Sequence, residues 1–291
     1  MTNFLISAFS DECGEASITG QIAACKVNRI THMELRGFGK GKNINATTVD
    51  EARVMKAALD DAGMHVSAIG SAYGKINIKE DFAPHFEAFK NTLAVAKVLG
   101  TRYIRMFSFY FDAEDSYEAY RDEVLHRVQM MADAAHDAGL LCCHENEKGI
   151  YGDNAERCLD LLTNVRHLRG VFDPANFVQC GVDTLHAFEL LAPHIEYMHI
   201  KDALFADGRV VPAGKGDGNV KAILTAMAAR GGDCILTLEP HLQSFEGLEN
   251  LESHSETKRA MPQDVYPSKA ASFKAAADAL HDLLGEIAQE A

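Results

Sequence analysis

The sequence predicts an α/β protein closed into a single (β/α)8 TIM barrel, and three observations carry the prediction. Short apolar runs alternate with longer amphipathic stretches along the chain, and eight such runs can be counted. Strict alternation implies parallel strands joined by crossover helices, and eight units of that kind close naturally on themselves. No GxGxxG follows the first run, where Phe9-Ser10-Asp11-Glu12-Cys13-Gly14 stands, which argues against a doubly wound open sheet.

In chain order the expected strands are Phe4–Phe9, His32–Leu35, His65–Ile69, Tyr103–Phe107, Leu140–His144, Gly170–Phe172, Tyr197–Ile200 and Cys234–Leu238. The stretches between them carry a helical period. Phe82, Phe86, Phe89 and Leu93 recur at i, i+4, i+7 and i+11, as do Val124, Val128, Met131 and Ala135. Phe273, Leu280, Leu284 and Ile287 continue the pattern near the end of the chain. Ala62-Gly63, Leu99-Gly100 and Ala138-Gly139 supply helix stops just ahead of strands. No linker or composition shift marks a second domain, so one barrel domain over residues 1–291 is expected. The segment 242–268 is polar and holds Pro262 and Pro267, so it reads as a long loop leaving the active face after strand eight.

Bulk composition narrows the function classes. The 291 residues are 47% hydrophobic and 24% charged, as in an ordinary soluble globular protein. No apolar run approaches the roughly 20 residues that cross a bilayer, so no membrane association is expected. The start, MTNFLISAFSDE, lacks the basic n-region of a secretory signal. Seven cysteines without CxxC spacing speak against a disulfide framework or a thiolate zinc site, and a reducing cytoplasm is the expected location. A net charge of −14 opposes the counterion-displacing footprint of a nucleic-acid binder.

Barrel chemistry collects at the C-terminal ends of the strands. Those ends carry Glu34 and Arg36, then Arg105, His144-Glu145-Asn146-Glu147, Asp173-Pro174-Ala175-Asn176, His199-Ile200-Lys201-Asp202 and Glu239-Pro240-His241. A lone Glu or Asp there is commonly a solvated loop residue or a helix cap, and a lone His a core residue. The joint pattern decides otherwise: clustered carboxylates repel one another unless a cation neutralises them. Three carboxylates and an imidazole make an oxygen-rich set that suits Mn2+ or Mg2+ and also accommodates Co2+ or Zn2+.

These motifs resemble the xylose isomerase-like barrel superfamily, and within it the sugar phosphate isomerase/epimerase group with its ketose 3-epimerases and hydroxypyruvate isomerases. The resemblance rests on His199-Ile200-Lys201-Asp202, on Pro212-Ala213-Gly214-Lys215-Gly216 and on Leu238-Glu239-Pro240. It implies one divalent metal held by Glu145, Asp173, His199 and Glu239. Glu147, on the same strand face, is the alternative to Glu145, which is favoured because the family motif is Glu followed directly by Asn. Asn176 stands where relatives often carry histidine. The implied reaction is isomerisation or epimerisation of a sugar or polyol through an enediolate, with Glu145 and Glu239 exchanging the carbon-bound proton. Arg105 is a candidate for a substrate carboxylate or phosphate, or else a structural partner of Glu34 or Glu12. Lys201 and His241 are candidates for substrate hydroxyls, and Lys201 alternatively anchors a loop carboxylate. Gly214-Lys215-Gly216 is either a phosphate-binding backbone or a tight turn.

Three rival functions remain. Dehydration of an inosose-type polyol makes the same demands on the site. An apurinic endonuclease would need more histidines and a basic face, which are not seen. A non-catalytic sugar-binding barrel would have no use for four metal ligands. The expected partner is a small-molecule sugar or polyol, with assembly into a homo-oligomer left open.

Overall fold

Every second residue of the strands turns into the lumen of a closed, wholly parallel barrel. A computed structural model describes residues 2–39, 42–243 and 265–290. Its barrel strands are β1 (Asn3–Phe9), β2 (His32–Leu35), β3 (His65–Gly70), β4 (Tyr103–Met106), β5 (Leu141–Glu145), β6 (Leu168–Phe172), β7 (Ile195–Ile200) and β8 (Asp233–Leu238). Each pairs with the next in sequence, and β8 closes on β1 from Asn3 opposite Asp233 to Ala8 opposite Leu238. The described helices are α1 (Ile18–Val27), α2 (Val49–Asp61), α3 (Phe82–Leu99), α4 (Tyr117–Asp137), α5 (Ala155–Asn164), α6 (Pro174–Gln179), α7 (Thr184–Leu191), α8 (Val220–Ala228) and α9 (Lys269–Glu290). Two short antiparallel ribbons, Gly37–Phe38 with Lys42–Asn43 and Asp202–Ala203 with Val210–Val211, decorate the loops after β2 and β7. The expected loop over 242–268 falls largely on residues 244–264, which lie outside the described residues.

The expected strands differ from the observed ones by a residue or two, for local reasons. β5 begins at Leu141 because the Leu140 N–H is already given to the Ala135 carbonyl at 2.8 Å, closing α4. β4 ends at Met106 because the Phe107 N–H leaves the ladder for the Tyr73 carbonyl, also at 2.8 Å. The helical period fares as the packing requires. Val124, Val128, Met131 and Ala135 are fully buried, and α3 stops at Gly100, whose φ of 77° suits a residue without a Cβ. Fully burying a side chain of Val or Met size stabilises by roughly 1.5–3 kcal/mol. Among the described residues no helix is long and apolar enough to cross a membrane.

The two faces of the strands sort by chemistry. Helix-facing Met33, Leu35, Ile104, Cys142, Met198 and Leu236 join the main apolar cluster with helix residues such as Phe89, Val128 and Leu280. Inside the lumen Ala68, Cys143, Val171 and Tyr197 form a separate, smaller cluster. Cys143, Val171 and Tyr197 are each followed two residues later by Glu145, Asp173 and His199. Strand periodicity therefore sets that polar layer directly above an apolar floor.

The loops after β3 and β4 are sewn together beside the lumen. The Phe109 N–H donates to the Gly74 carbonyl at 2.8 Å, and the Gly74 N–H donates to His85 Nε2 at 2.8 Å. His85 must stay unprotonated at Nε2 to accept that bond, and burial pushes its imidazole from near 6.5 down to about 4. The unfolded chain takes up this proton near pH 6.5 and the folded one only near pH 4, so the contribution of His85 is complete above pH 6.5 and fades as pH falls through that window. Glutamine at position 85 keeps an acceptor but does not titrate. The stability advantage of the wild type over His85→Gln in urea melts is expected to shrink between pH 6.5 and pH 4. An advantage that stays constant across that range refutes the assignment.

Candidate active site

At the C-terminal mouth of the barrel, four side chains from β5 to β8 converge. Ligand-type atoms of Glu145, Asp173, His199 and Glu239 all lie within 4.8 Å of one another, and all four residues are buried. Of the two carboxylates at the end of β5, Glu145 and Glu147, Glu145 is the one in this group. Glu147 is turned aside into an ion pair with Lys75 Nζ at 3.0 Å, and Lys75, Lys148 and Lys201 overcome the penalty of burial to hold it at about 2.

Each member of the group is held by its own element. Asp173 caps α6: its Oδ1 accepts the Asn176 N–H at 2.9 Å, with Pro174 in the first turn. Its Oδ2 is buried and has no hydrogen bond, although Lys201 Nζ stands 2.9 Å away. Asn146 fixes the same corner from β5, since its Nδ2 donates to the Asp173 carbonyl and its Oδ1 accepts the Asp173 N–H, both at 2.9 Å. That double bond between neighbouring strand ends gives the Glu-Asn pair a physical reason. Asn176 Nδ2 in turn donates to the Asn146 carbonyl at 2.9 Å and to Glu145 Oε1 at 3.3 Å.

The cations around the group answer its charge. Arg105 Nη1 lies 2.8 Å from Glu145 Oε2, so its carboxylate partner is Glu145 and neither Glu34 nor Glu12. Lys201 Nζ sits between Asp173 and Glu239 Oε2, at 2.9 and 2.8 Å, which makes it an anchor of carboxylates. Arg36 binds Asp11 with Nε and Nη2, Glu12 with Nη2 at 2.8 Å and Glu239 with Nη1 at 2.9 Å, while lying 4.2 Å over the Phe9 ring. His241 takes a left-handed φ of 44° and gives its N–H to Glu12 Oε2 at 2.7 Å, with its ring Nε2 3.3 Å from Glu239 Oε1. His144, by contrast, faces away and meets Ser108 Oγ at 2.9 Å.

Electrostatics follow from these contacts. Burial, reinforced by Glu239 and Glu145, outweighs Lys201 and pushes Asp173 up to about 7. Burial also pushes Glu12 up to about 8 against the pull of Arg36. Burial works against ionised Glu145 as well, but His199 and Arg105 more than offset it and hold that carboxyl below the usual range. Lys201 and His241 do the same for Glu239.

Four donors of this kind fit a divalent cation. Bonds of about 2.0–2.2 Å put ligand atoms roughly 3–4 Å apart, and the donor atoms here lie within 4.8 Å of one another, with His199 Nδ1 2.9 Å from Glu145 Oε1 and 3.6 Å from Glu239 Oε2. Asp173 Oδ2, buried without a hydrogen bond, is the oxygen such an ion would satisfy. The Gly214-Lys215-Gly216 turn is committed elsewhere: the amides of Gly214 and Gly216, with those of Gly218 and Ala203, all point 2.9 Å from Asp202 oxygens. Two of those amides are thereby taken from any phosphate.

A family model described as a xylose isomerase-like TIM barrel matches residues 24–279. The chain belongs to that family. Among solved members of the fold, an L-ribulose 3-epimerase is similar with a TM-score of 0.75 at 17% identity, covering 100% of this chain and 97% of that one. The IolI protein with a bound zinc atom follows at TM-score 0.74 and 13% identity, covering 97% and 98%. The probable 3-DHS dehydratase AsbF of Bacillus anthracis has a TM-score of 0.71 at 20% identity, covering 97% and 99%. At these identities the likeness is one of fold.

The sequence pointed to Arg36 without a role, to Glu12 only as a partner of Arg105, and to Asn146 only as part of the Glu-Asn motif. Arg36 is the test of the charge network in this xylose isomerase-like barrel. Replacing it with methionine keeps most of the packing on Phe9 and strands three carboxylates. Removing one partner of a buried pair typically costs roughly 3–5 kcal/mol. Arg36→Met is expected to lose stability on that scale in urea denaturation at pH 7, and a loss under about 1 kcal/mol would show that the network does not depend on it.

Proposed function

We propose that this protein is a divalent-metal-dependent enzyme that isomerises or epimerises a small sugar or sugar-like polyol. The observation that carries the reading is the convergence of Glu145, Asp173, His199 and Glu239 on one buried point at four consecutive strand ends. Membership of the xylose isomerase-like family supports enzymatic function, and the likeness to an epimerase fold is compatible with the reaction. Mn2+ or Mg2+ suits the oxygen-rich set best, with Co2+ or Zn2+ also accommodated. When bound, the ion supplies Lewis-acid polarisation of a substrate carbonyl.

The residues themselves supply the rest. Glu145 and Glu239 hold carboxylates that stay ionised, the state a base needs to take a proton from carbon. One takes the proton from the carbon beside the carbonyl, and for epimerisation the other, having taken up a proton of its own from solvent or a substrate hydroxyl, donates that proton to the opposite face. Lys201 and His241 lie within reach of Glu239 and present polar hydrogens to substrate hydroxyls. Asn176 and Arg105 keep Glu145 oriented, and Glu147, paired with Lys75, is a further candidate for a substrate hydroxyl. Dehydration of a cyclic polyol begins with the same proton removal, so the products separate the two reactions.

The test is a screen of free and phosphorylated ketoses and polyols with added Mn2+ or Mg2+, read by incorporation of deuterium from D2O. Turnover is expected to vanish on chelation and to return with the ion. Metal-loaded Glu145→Gln and Glu239→Gln are each expected to lose roughly 10²–10⁴-fold, because an amide cannot accept the carbon-bound proton. Metal content is measured in each variant. Near wild-type epimerisation by metal-loaded Glu239→Gln would sink the two-glutamate mechanism.

A further inference from the structure

Behind His199, on the side away from the candidate ligands, stands another buried carboxylate that the reaction does not use. Glu34 at the end of β2 has no solvent exposure, and its Oε2 lies 3.2 Å from His199 Nε2. Its other oxygen, Oε1, accepts the Tyr197 hydroxyl at 3.0 Å, so the carboxylate is held at both ends. The opposite ring nitrogen, Nδ1, faces the group itself, 2.9 Å from Glu145 Oε1 and 3.6 Å from Glu239 Oε2. Phe9 packs edge-on against the imidazole at 5.1 Å, which limits rotation of the ring. The ladder between β2 and β3 shifts register between Met33 and Glu34, at the step that delivers this side chain.

We infer that Glu34 is a positioning residue that fixes the tautomer of His199, keeping the proton on Nε2 and leaving the Nδ1 lone pair for the divalent ion. This rests on the metal reading above. With Oε1 accepting from Tyr197, Oε2 is left to accept from the imidazole, which puts the ring hydrogen on the nitrogen facing Glu34. Tyr197 occupies the second oxygen and prevents the carboxylate from swinging away. The ring nitrogen that can give up its proton to a cation is then Nδ1, the one beside Glu145 and Glu239. A hydrogen bond from the distal N–H to a carboxylate both orients a ligating imidazole and strengthens it as a donor. Glutamine at position 34 breaks this logic: it carries no charge, and only one of its two terminal atoms is an oxygen, whereas Tyr197 and His199 meet different oxygens of the carboxylate.

The experiment measures Zn2+ and Mn2+ affinity by chelator competition for the full chain as wild type, Glu34→Gln and Glu34→Leu, with the metal-free melting temperature of each. In parallel, 15N-histidine NMR of the Zn2+-loaded wild type reports which nitrogen of His199 carries hydrogen. The expected results are a proton on Nε2 and an affinity weakened about 10–100-fold in folded Glu34→Gln. A merely structural role would lower the metal-free melting temperature and leave the affinity of the folded variant at the wild-type value. Wild-type affinity in Glu34→Gln, or a proton on Nδ1 in the loaded wild type, overturns the inference while the metal site stands. A wild type that takes up neither ion overturns the metal reading and this inference with it. Should Glu34→Leu fail to fold, Glu34→Gln and the NMR measurement on the wild type still decide.

Discussion

Repulsion among Glu12, Glu34, Glu145, Asp173 and Glu239, all nearly free of solvent contact at the mouth of the barrel, is the constraint to which the neighbouring structure answers. An uncompensated carboxylate in such surroundings costs several kcal/mol even after relaxation. Arg36, Arg105 and Lys201 stand among them, Arg36 shared with Asp11, and Glu145 and Glu34 raise His199 well above its ordinary value against the penalty of burial, which makes the imidazole a fourth cation. Burial lifts Glu12 to about 8 and Asp173 to about 7, which removes part of the negative charge at neutral pH.

Much of this was legible in the sequence because strand periodicity is strict. Once Cys143, Val171 and Tyr197 occupy the lumen, the residues two positions on must share it, and the motifs at those positions announce themselves. What the sequence does not carry is which cation meets which carboxylate. Arg36 and Glu239 are 203 residues apart, and Tyr197 and Glu34 are 163 apart, so no local pattern links them. Arg105 illustrates the limit: its lumen position follows from the strand, but its choice of Glu145 over Glu34 depends on side-chain geometry across the barrel. The register shifts at Met33/Glu34 and Gly170/Val171 are equally silent, because an extra residue in one strand leaves the apolar run intact.

Some of the motif residues turn out to be scaffolding. Asn146 spends its whole amide on the backbone of Asp173. Asp202 accepts four backbone N–H groups, and a Cβ on Gly216 would fall 2.4 Å from its Oδ1. The run His199-Ile200-Lys201-Asp202 thus mixes a candidate ligand, a core residue, a counter-ion and a loop anchor in four consecutive positions. A motif of that kind is specific because several independent physical demands fall on adjacent residues, and no one of them alone would require the whole run.

The cost of this arrangement bears on what it is for. A buried ion pair replaced by apolar residues of similar size often leaves a protein as stable or more so, whereas removing one partner is strongly destabilising. The lower lumen shows that this barrel can be filled with apolar side chains, as Ala68, Cys143, Val171 and Tyr197 do one layer down. A continuation of that packing would need neither Arg36 nor Lys201 and would leave no oxygen such as Asp173 Oδ2 without a hydrogen bond. The polar layer therefore does not serve the stability of the fold. Its donors face inward, its counter-ions are themselves buried, and Asp173 Oδ2, with Lys201 Nζ as its ionic neighbour at 2.9 Å, lies among the candidate ligands, which together is the arrangement expected of a site kept for chemistry.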